Sequence, residues 1–389
     1  MVSSTQNQIF GSIQDIIAPV DVASSIWKTA NEPIHSLHHL CSRVCSFPPA
    51  MPRFFIRQYS QVGDVVFDAW SGRGTVPLEA LLNNRVGIGN DLSPEAFVLT
   101  KAKVQPVDFN SLNVFLQKLE EEVKIHELTK KLDELDRKAA IFYSKKTFQQ
   151  LLALKEVLAS HDSIEANFTR ALVLGILHGK PSSALSLRCS HSYSMSPKYV
   201  KNYAKEHGLR RPSKKIFQEI RARAKSVLRD PLPLLRGTAF CDDSRKLSLP
   251  DESVDLIFSS PPYFNVQTYA WCNWLRLWFL GYDYRLVKKS LCESGCEETY
   301  MKFMRESLSE LYRVLKADKR CFIVAGDVKL GRANKRVINT IEFLTPLFEE
   351  SGFTLEKVIT ENIPANKRVL TYIDGTQGVK TERIALLTK

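Results

Sequence analysis

The chain has 389 residues, a net charge of +12 and a pI of about 9.2, with 44% hydrophobic and 25% charged residues. It is long enough to bury a large core, and its charge points to a polyanionic partner, nucleic acid first and an acidic membrane surface second. No stretch approaches the ~18 uninterrupted apolar residues of a membrane span, and the start MVSSTQNQIF lacks the basic-then-apolar order of a secretion signal, so a cytoplasmic protein is expected.

Eight cysteines (41, 45, 189, 241, 272, 292, 296 and 321) are scattered. The close pairs Cys41/Cys45 and Cys292/Cys296 lack the C-x2-C spacing of a common zinc site, so reduced structural thiols and no metal are expected.

In chain order, residues 1–32 form an extension without a readable pattern. Residues 61–104 read as strand, glycine turn, helix, strand, helix: DVVFDAW, SGRGT, VPLEALLNN, RVGIGND and LSPEAFVLTKAKV. Asp68, Gly72 and Gly74 close the first strand where small residues let the backbone approach a ligand. Val76 and Pro77 stand where a G-x-G-x-x-G fingerprint needs its third glycine, and no Gly-Lys-Ser/Thr follows. Asp91 ends the next strand, about twenty residues on, where a carboxylate can accept hydrogen bonds from a ribose diol.

Residues 107–236 read as a largely helical insert. VFLQKLEEEVKIHELTKKLDELDRKAAIFY has helical spacing and no glycine or proline to break it. Between Lys198 and Arg229 the insert holds 11 Lys/Arg against Glu206 and Glu219, net +9 of the total +12. Such a run is often only a solvated face, but this concentration of charge suits phosphate contacts, and Lys198, Lys201, Arg210, Arg211, Lys214 and Lys215 are candidate DNA-binding residues.

A second set follows from residue 237: GTAFCDDSRKL, the strand VDLIF, the helix EETYMKFMRESLSELYRVL, and the strands RCFIVAGDV and ERIALLTK. Strands alternating with helices predict an α/β doubly wound, Rossmann-like sheet, formed by residues 33–106 and 237–389. Asp243 is a third acid at a strand end. Ser-Pro-Pro-Tyr (260–263) follows VDLIF directly, and its prolines must end the strand. Beyond it, Tyr269, Trp271, Trp274, Trp278 and Phe279 read mostly as core, with Asn265 and Tyr269 near enough to line a pocket.

With these motifs in view, the chain resembles S-adenosylmethionine-dependent DNA amino-methyltransferases of the N4-cytosine/N6-adenine type. Ser260, Pro261, Pro262 and Tyr263 match that family's [Ser/Asn/Asp]-Pro-Pro-[Tyr/Phe/Trp] catalytic box. Phe47 and Pro48 match its upstream Phe-Pro segment. Ala69-Trp70 and Arg73 depart from it, since many relatives have Pro-Phe and Ser there. The resemblance implies S-adenosyl-L-methionine as cofactor, held by Phe47, Pro48, Asp68, Ser71, Gly72, Gly74, Thr75, Asp91, Leu92, Asp243 and Ser244. It implies double-stranded DNA as partner, with a cognate restriction endonuclease as a second partner to look for.

An exocyclic amine is a weak nucleophile, its lone pair being delocalised into the ring. The Ser260 hydroxyl and the Pro261 carbonyl can accept its two N–H bonds and aim the lone pair at a methyl donor, while Tyr263 stacks on the base. In the family the chain resembles, serine in the first box position goes with cytosine N4, which the resemblance therefore implies. Adenine N6, an RNA amine and a non-catalytic nucleic-acid binder are the alternatives.

Overall fold

The apolar runs on either side of the charged insert come together in one sheet. The structure is a computed structural model, which describes residues 33–43, 46, 48–128, 131–179, 183–187, 195–264, 269–292, 296–330, 336–362 and 381–389. Strands β1 (Val65–Asp68), β2 (Val86–Asn90), β3 (Thr238–Phe240), β4 (Val254–Ser259) and β5 (Leu315–Gly326) pair in parallel. A small ribbon of β6 (Val328–Leu330) and β7 (Arg336–Ile338) follows, and then β8 (Thr354–Asn362) and β9 (Thr381–Thr388) join the main sheet antiparallel. The order β3-β2-β1-β4-β5-β9-β8 is the expected α/β sheet, and the winding across it reverses between β1 and β4. Ligands of open sheets collect at the carboxyl ends of the strands flanking such a reversal.

Helices α1 (Ala50–Tyr59), α2 (Thr75–Leu82) and α3 (Pro94–Val104) accompany the first strands. The insert folds as α4 (Phe109–Ile125), α5 (Glu134–Ala140), α6 (Lys145–Ala159), α7 (Ile164–Ile176), α8 (Pro197–Glu206) and α9 (Ile216–Val227). After β4 come α10 (Tyr269–Cys272), α11 (Trp274–Phe279), α12 (Tyr284–Ser290), α13 (Glu297–Val314) and α14 (Thr340–Glu350).

Side chains alternate across a strand, and here both faces are covered, so the central strands read as unbroken apolar runs. Val66, Leu256, Phe258, Phe322 and Val324 pack under α1, where the Phe55 ring lies 5.3 Å from Phe258 and 4.6 Å from Phe322. Phe67, Ile257, Cys321 and Ile323 face α13 and α14 instead. The insert has no core of its own: Leu112, Leu116, Leu151, Phe168 and Ile220 pack into one cluster with Leu78, Val98 and Leu99 of α2 and α3 and with Trp274 and Trp278 of α11. The aromatic run after the box is thus largely core, Trp274, Trp278 and Phe279 being buried.

The long charged helix expected at the start of the insert is broken. α4 buries Leu112, Leu116, Leu119 and Val123 on one stripe and ends at Ile125. Asp133 and Asp136 then form a reciprocal capping box that starts α5 afresh. Such a cap starts a new helix where no glycine or proline marks the boundary.

Candidate active site

The end of β1 is stitched to the end of β4. Ser259, the last residue of β4, donates from its hydroxyl to Asp68 Oδ1 at 2.6 Å and accepts from the Trp70 N–H at 3.2 Å. The Trp70 N–H also lies 3.3 Å from Asp68 Oδ1. Asp68 is 2% exposed, and burial, aided by the nearby Asp91 charge, pushes its carboxyl up to about 7 against these hydrogen bonds.

The glycine turn is held from the other side by Asp91, one residue past β2. Its Oδ2 accepts from the Gly72 N–H and its Oδ1 from the Ser93 N–H, both at 2.9 Å. Burial raises its pKa, while the Arg43 guanidinium acts to lower it. Gly72 has φ +54°, and a Cβ there would meet Arg43 Nη1 at 2.8 Å. Gly74 has φ +72° and begins α2, and a Cβ there would sit 2.9 Å from the Thr100 Cα. Gly74 is therefore a packing glycine between α2 and α3, turned away from the cavity. The Ser71 hydroxyl pairs with that of Thr100 at 2.9 Å.

One cavity, about 990 Å³ counted with its open mouth, lies at these strand ends. Asp68, Ser71, Gly72, Thr75, Asp91 and Leu92 line it on one side. Asp243 and Ser244, beyond β3, line it as well, and so do Ser260, Pro261, Pro262 and Tyr263. Tyr263 is half-buried, and its hydroxyl donates to Glu382 Oε1 at 3.3 Å. Asp243 is gripped by Arg245, whose Nη2 lies 2.6 Å from its Oδ2 and which holds that carboxyl below its usual range. Pro48 is exposed and does not line the cavity, and Phe47 and Asn265 lie outside the described residues.

Several lining residues carried no motif. Arg43 bonds Glu95 at 3.1 Å and lies 5.6 Å over the Tyr269 ring, and both Arg43 and Tyr269 face the cavity. Burial works against its charge, yet the carboxylates of Glu95 and Asp91 hold Arg43 above its ordinary range. Asn90 donates to the carbonyls of Ala69 and Asp242 at 3.2 and 3.1 Å and accepts from the Asp242 N–H at 2.9 Å, fixing two strand ends together. The Trp70 indole donates to the Ser244 hydroxyl at 3.1 Å, so the departure Ala69-Trp70 replaces Pro-Phe with a side chain that ties the turn to the loop after β3.

The basic segment lies on α8, α9 and the loop between them. Lys198, Lys201, Arg210, Arg211 and Lys215 are exposed, whereas Lys214 is half-buried and pairs with Glu219 at 2.8 Å. Lys214 therefore offers a largely neutralised charge, unlike its neighbours. Arg211 donates to the Ile141 carbonyl at 2.6 Å and still presents its charge outward.

Fold and cavity thus define an open α/β protein with a ligand site at its switch point. A family model described as DNA methylase matches residues 19–102 and 254–375, more than half of the chain, and the chain belongs to this family. It is similar to the type II methyltransferase M.MjaII of Methanocaldococcus jannaschii, 24% identical over 137 residues, which are 33% of this chain and 25% of that protein. It is also similar to the type II methyltransferase M.XycI of Xanthomonas campestris pv. cyanopsidis, 30% identical over 90 residues, 23% of this chain and 28% of that one. The chain thus spans about a quarter of the length of these curated relatives. Among solved structures, a DNA modification methylase of Thermus thermophilus, TTHA0409, complexed with S-adenosyl-L-methionine, aligns with 38% of this chain and 53% of its own at 23% identity and a TM-score of 0.25. No helix among the described residues is long and apolar enough to cross a membrane.

Proposed function

We propose that the chain is an S-adenosylmethionine-dependent DNA methyltransferase that methylates an exocyclic base amine, cytosine N4 first. One observation carries this reading: the glycine turn with Asp68 and Asp91, and the Ser260–Tyr263 box, line the same cavity although some 190 residues separate them. The family, described as DNA methylase, supports both the reaction class and DNA as the substrate, and the type II methyltransferase relatives support methyl transfer.

The residues suit the cofactor. Gly72 lines the cavity with a left-handed backbone, φ +54°, that glycine adopts without strain and that leaves its peptide open to a ligand. Asp91 would receive the ribose hydroxyls, and Asp68 would face the cationic end. When bound, S-adenosylmethionine supplies an electrophilic methyl group on a sulfonium.

The protein's own part is positional. The Ser260 hydroxyl and the Pro261 carbonyl accept the two N–H bonds of the amine, drawing the nitrogen toward tetrahedral geometry, and the two prolines keep those oxygens from relaxing. Tyr263, tethered through Glu382, offers a face for a base taken out of the duplex. The methylated amine gives up one proton to solvent at the open mouth of the cavity, and nothing in this scheme calls for a covalent intermediate on the protein.

Incubation of the purified chain with methyl-labelled S-adenosylmethionine and DNA or total RNA, followed by nucleoside analysis, tests the proposal. Label on N4-methylcytosine in DNA is the expected result. Label on adenine N6 overturns the base preference, label on RNA alone overturns the substrate, and no label with intact cofactor binding favours a non-catalytic binder.

A further inference from the structure

Helix α8 carries a feature that charge alone does not explain. Tyr199, Tyr203 and His207 recur four residues apart and their rings run nearly parallel, Tyr199 to Tyr203 at 5.8 Å and 18°, Tyr203 to His207 at 4.1 Å and 28°. Tyr199 is 39% exposed, a large ring left open on a soluble helix. At about 100° per residue, Val200 and Ala204 form the buried side, and Asn202 and Glu206 the outermost strip. The aromatic row lies along one flank of that strip and Lys198, Lys201 and Lys205 along the other. These lysines and Arg210 are exposed, and no carboxylate pairs with them among the described residues.

We propose that α8 is a stacking platform for an unpaired stretch of the DNA strand, bases lying on the Tyr199 side and phosphates on the lysine side. The two rows lie a helix width apart, about 10 Å with side chains, which a nucleotide spans from base to phosphate. A duplex keeps its base faces stacked inside and can use only the lysines, whereas a single strand can use both rows. The start of the helix is also tied to the segment that follows cavity-lining Tyr269. Ser196 caps α8 from its side chain to the Tyr199 N–H, and the preceding Met195 carbonyl accepts from the Trp274 indole at 3.1 Å, on the helix that follows cavity-lining Tyr269. Strand opened for extraction of a base at Tyr263 would therefore find this platform close by. The inference rests on the DNA reading above.

The experiment compares the full chain with Tyr199→Ala, Tyr199→Phe and Lys201→Ala/Lys205→Ala. Each is titrated with a single-stranded oligonucleotide carrying 2-aminopurine, the matching duplex, and a single-stranded RNA of the same sequence, over a range of salt. Tyr199→Ala is expected to weaken single-strand DNA binding roughly 5- to 150-fold and to relieve 2-aminopurine quenching, with duplex binding changed less than about twofold. Tyr199→Phe should restore both, and the lysine pair should flatten the salt dependence for both DNAs. Equal losses on duplex and single strand, or none, overturn the platform, and preferential binding of the RNA reassigns its occupant. Ring-dependent strand binding without methyl transfer to DNA would sink the methyltransferase reading alone, and methyl transfer with no effect of Tyr199→Ala would sink the platform alone.

Discussion

Asp68→Asn isolates the most perturbed group in the cavity. The Asp68 carboxyl moves from 3.8 in the unfolded reference to about 7 in the fold, chiefly because burial disfavours its charge. A carboxyl raised by folding holds its proton more tightly in the native state, so between about pH 4 and 7 folding takes up a proton and stability falls as pH rises. Above pH 7 the full cost is present, about 4 kcal/mol as an upper bound. Asparagine keeps an oxygen for the Ser259 hydroxyl and removes that cost. Asp68→Asn should therefore raise the Tm of the cofactor-free chain by several degrees at pH 8 and leave it nearly unchanged at pH 4. If Asp68 faces the cofactor's cationic end as proposed, the same group also governs the pH dependence of cofactor binding. A cationic ligand favours the carboxylate, of which only about one tenth is ionised at pH 6, so wild-type affinity should fall about tenfold from pH 8 to pH 6. The variant should bind weakly at both. Thermal scans and calorimetric titration at each pH check this. An equal Tm change at pH 4 and pH 8, or a variant that retains the wild-type pH slope of binding, would refute the assignment of the charge to Asp68.

Gly74→Ala should lower stability by about 1–3 kcal/mol in denaturant titration, because the left-handed backbone and the Thr100 Cα at 2.9 Å both resist a Cβ. Glu79→Gln should cost about 3–5 kcal/mol, since the buried Glu79 carboxylate is shared by His38 at 2.7 Å and Arg53 at 2.8 Å and its loss takes the opposite charge away from buried Arg53, read again by denaturant titration. Lys215→Glu should reduce both DNA affinity and its salt slope, whereas Lys214→Glu should act mainly on stability through its contact with Glu219, a contrast read by binding at several salt concentrations. Ser260→Ala should cut methyl transfer about 100-fold or more with cofactor affinity nearly unchanged, as measured by turnover and calorimetry.

The alternation of strand and helix was legible because buried parallel strands demand unbroken apolar runs: VVFD, VGIGN and VDLIFS announce themselves. Strand β8 did not. It is an edge strand, pairing only with β9, and its Glu356, Lys357 and Glu361 dilute the signal. Glycine, proline and acids are common at strand ends, and Asp68, Gly72, Asp91 and the Ser260–Tyr263 box stood out only through their combined order and spacing along the chain. Arg43, Asn90 and Phe303 did not, since each reaches the cavity through tertiary placement that no local pattern encodes, whereas Tyr269 lies close enough to the box along the chain to be expected near the pocket. Gly74 looks ligand-facing in the sequence because spacing cannot tell which side of a turn a missing Cβ serves.

Ser259 shows how the two halves of the chain become one site. It is the last residue of β4 and the neighbour of the box, yet its side chain turns back to Asp68 and Trp70 at the end of β1. Because side chains alternate along a strand, a Ser259 that points to Asp68 leaves Ser260 to point elsewhere, into the open cavity. The parallel register Phe67↔Ile257 sets that alternation, and the two cores set the register, since a one-residue slip would exchange Phe67 and Ile257, packed under α13 and α14, with Phe258, packed under α1, between two differently shaped cores. The position of the box relative to the glycine turn is thus fixed by the hydrophobic core, with Ser259 as the polar pin. This is how an insert of 130 residues can separate the two motifs in the sequence without moving them apart in space.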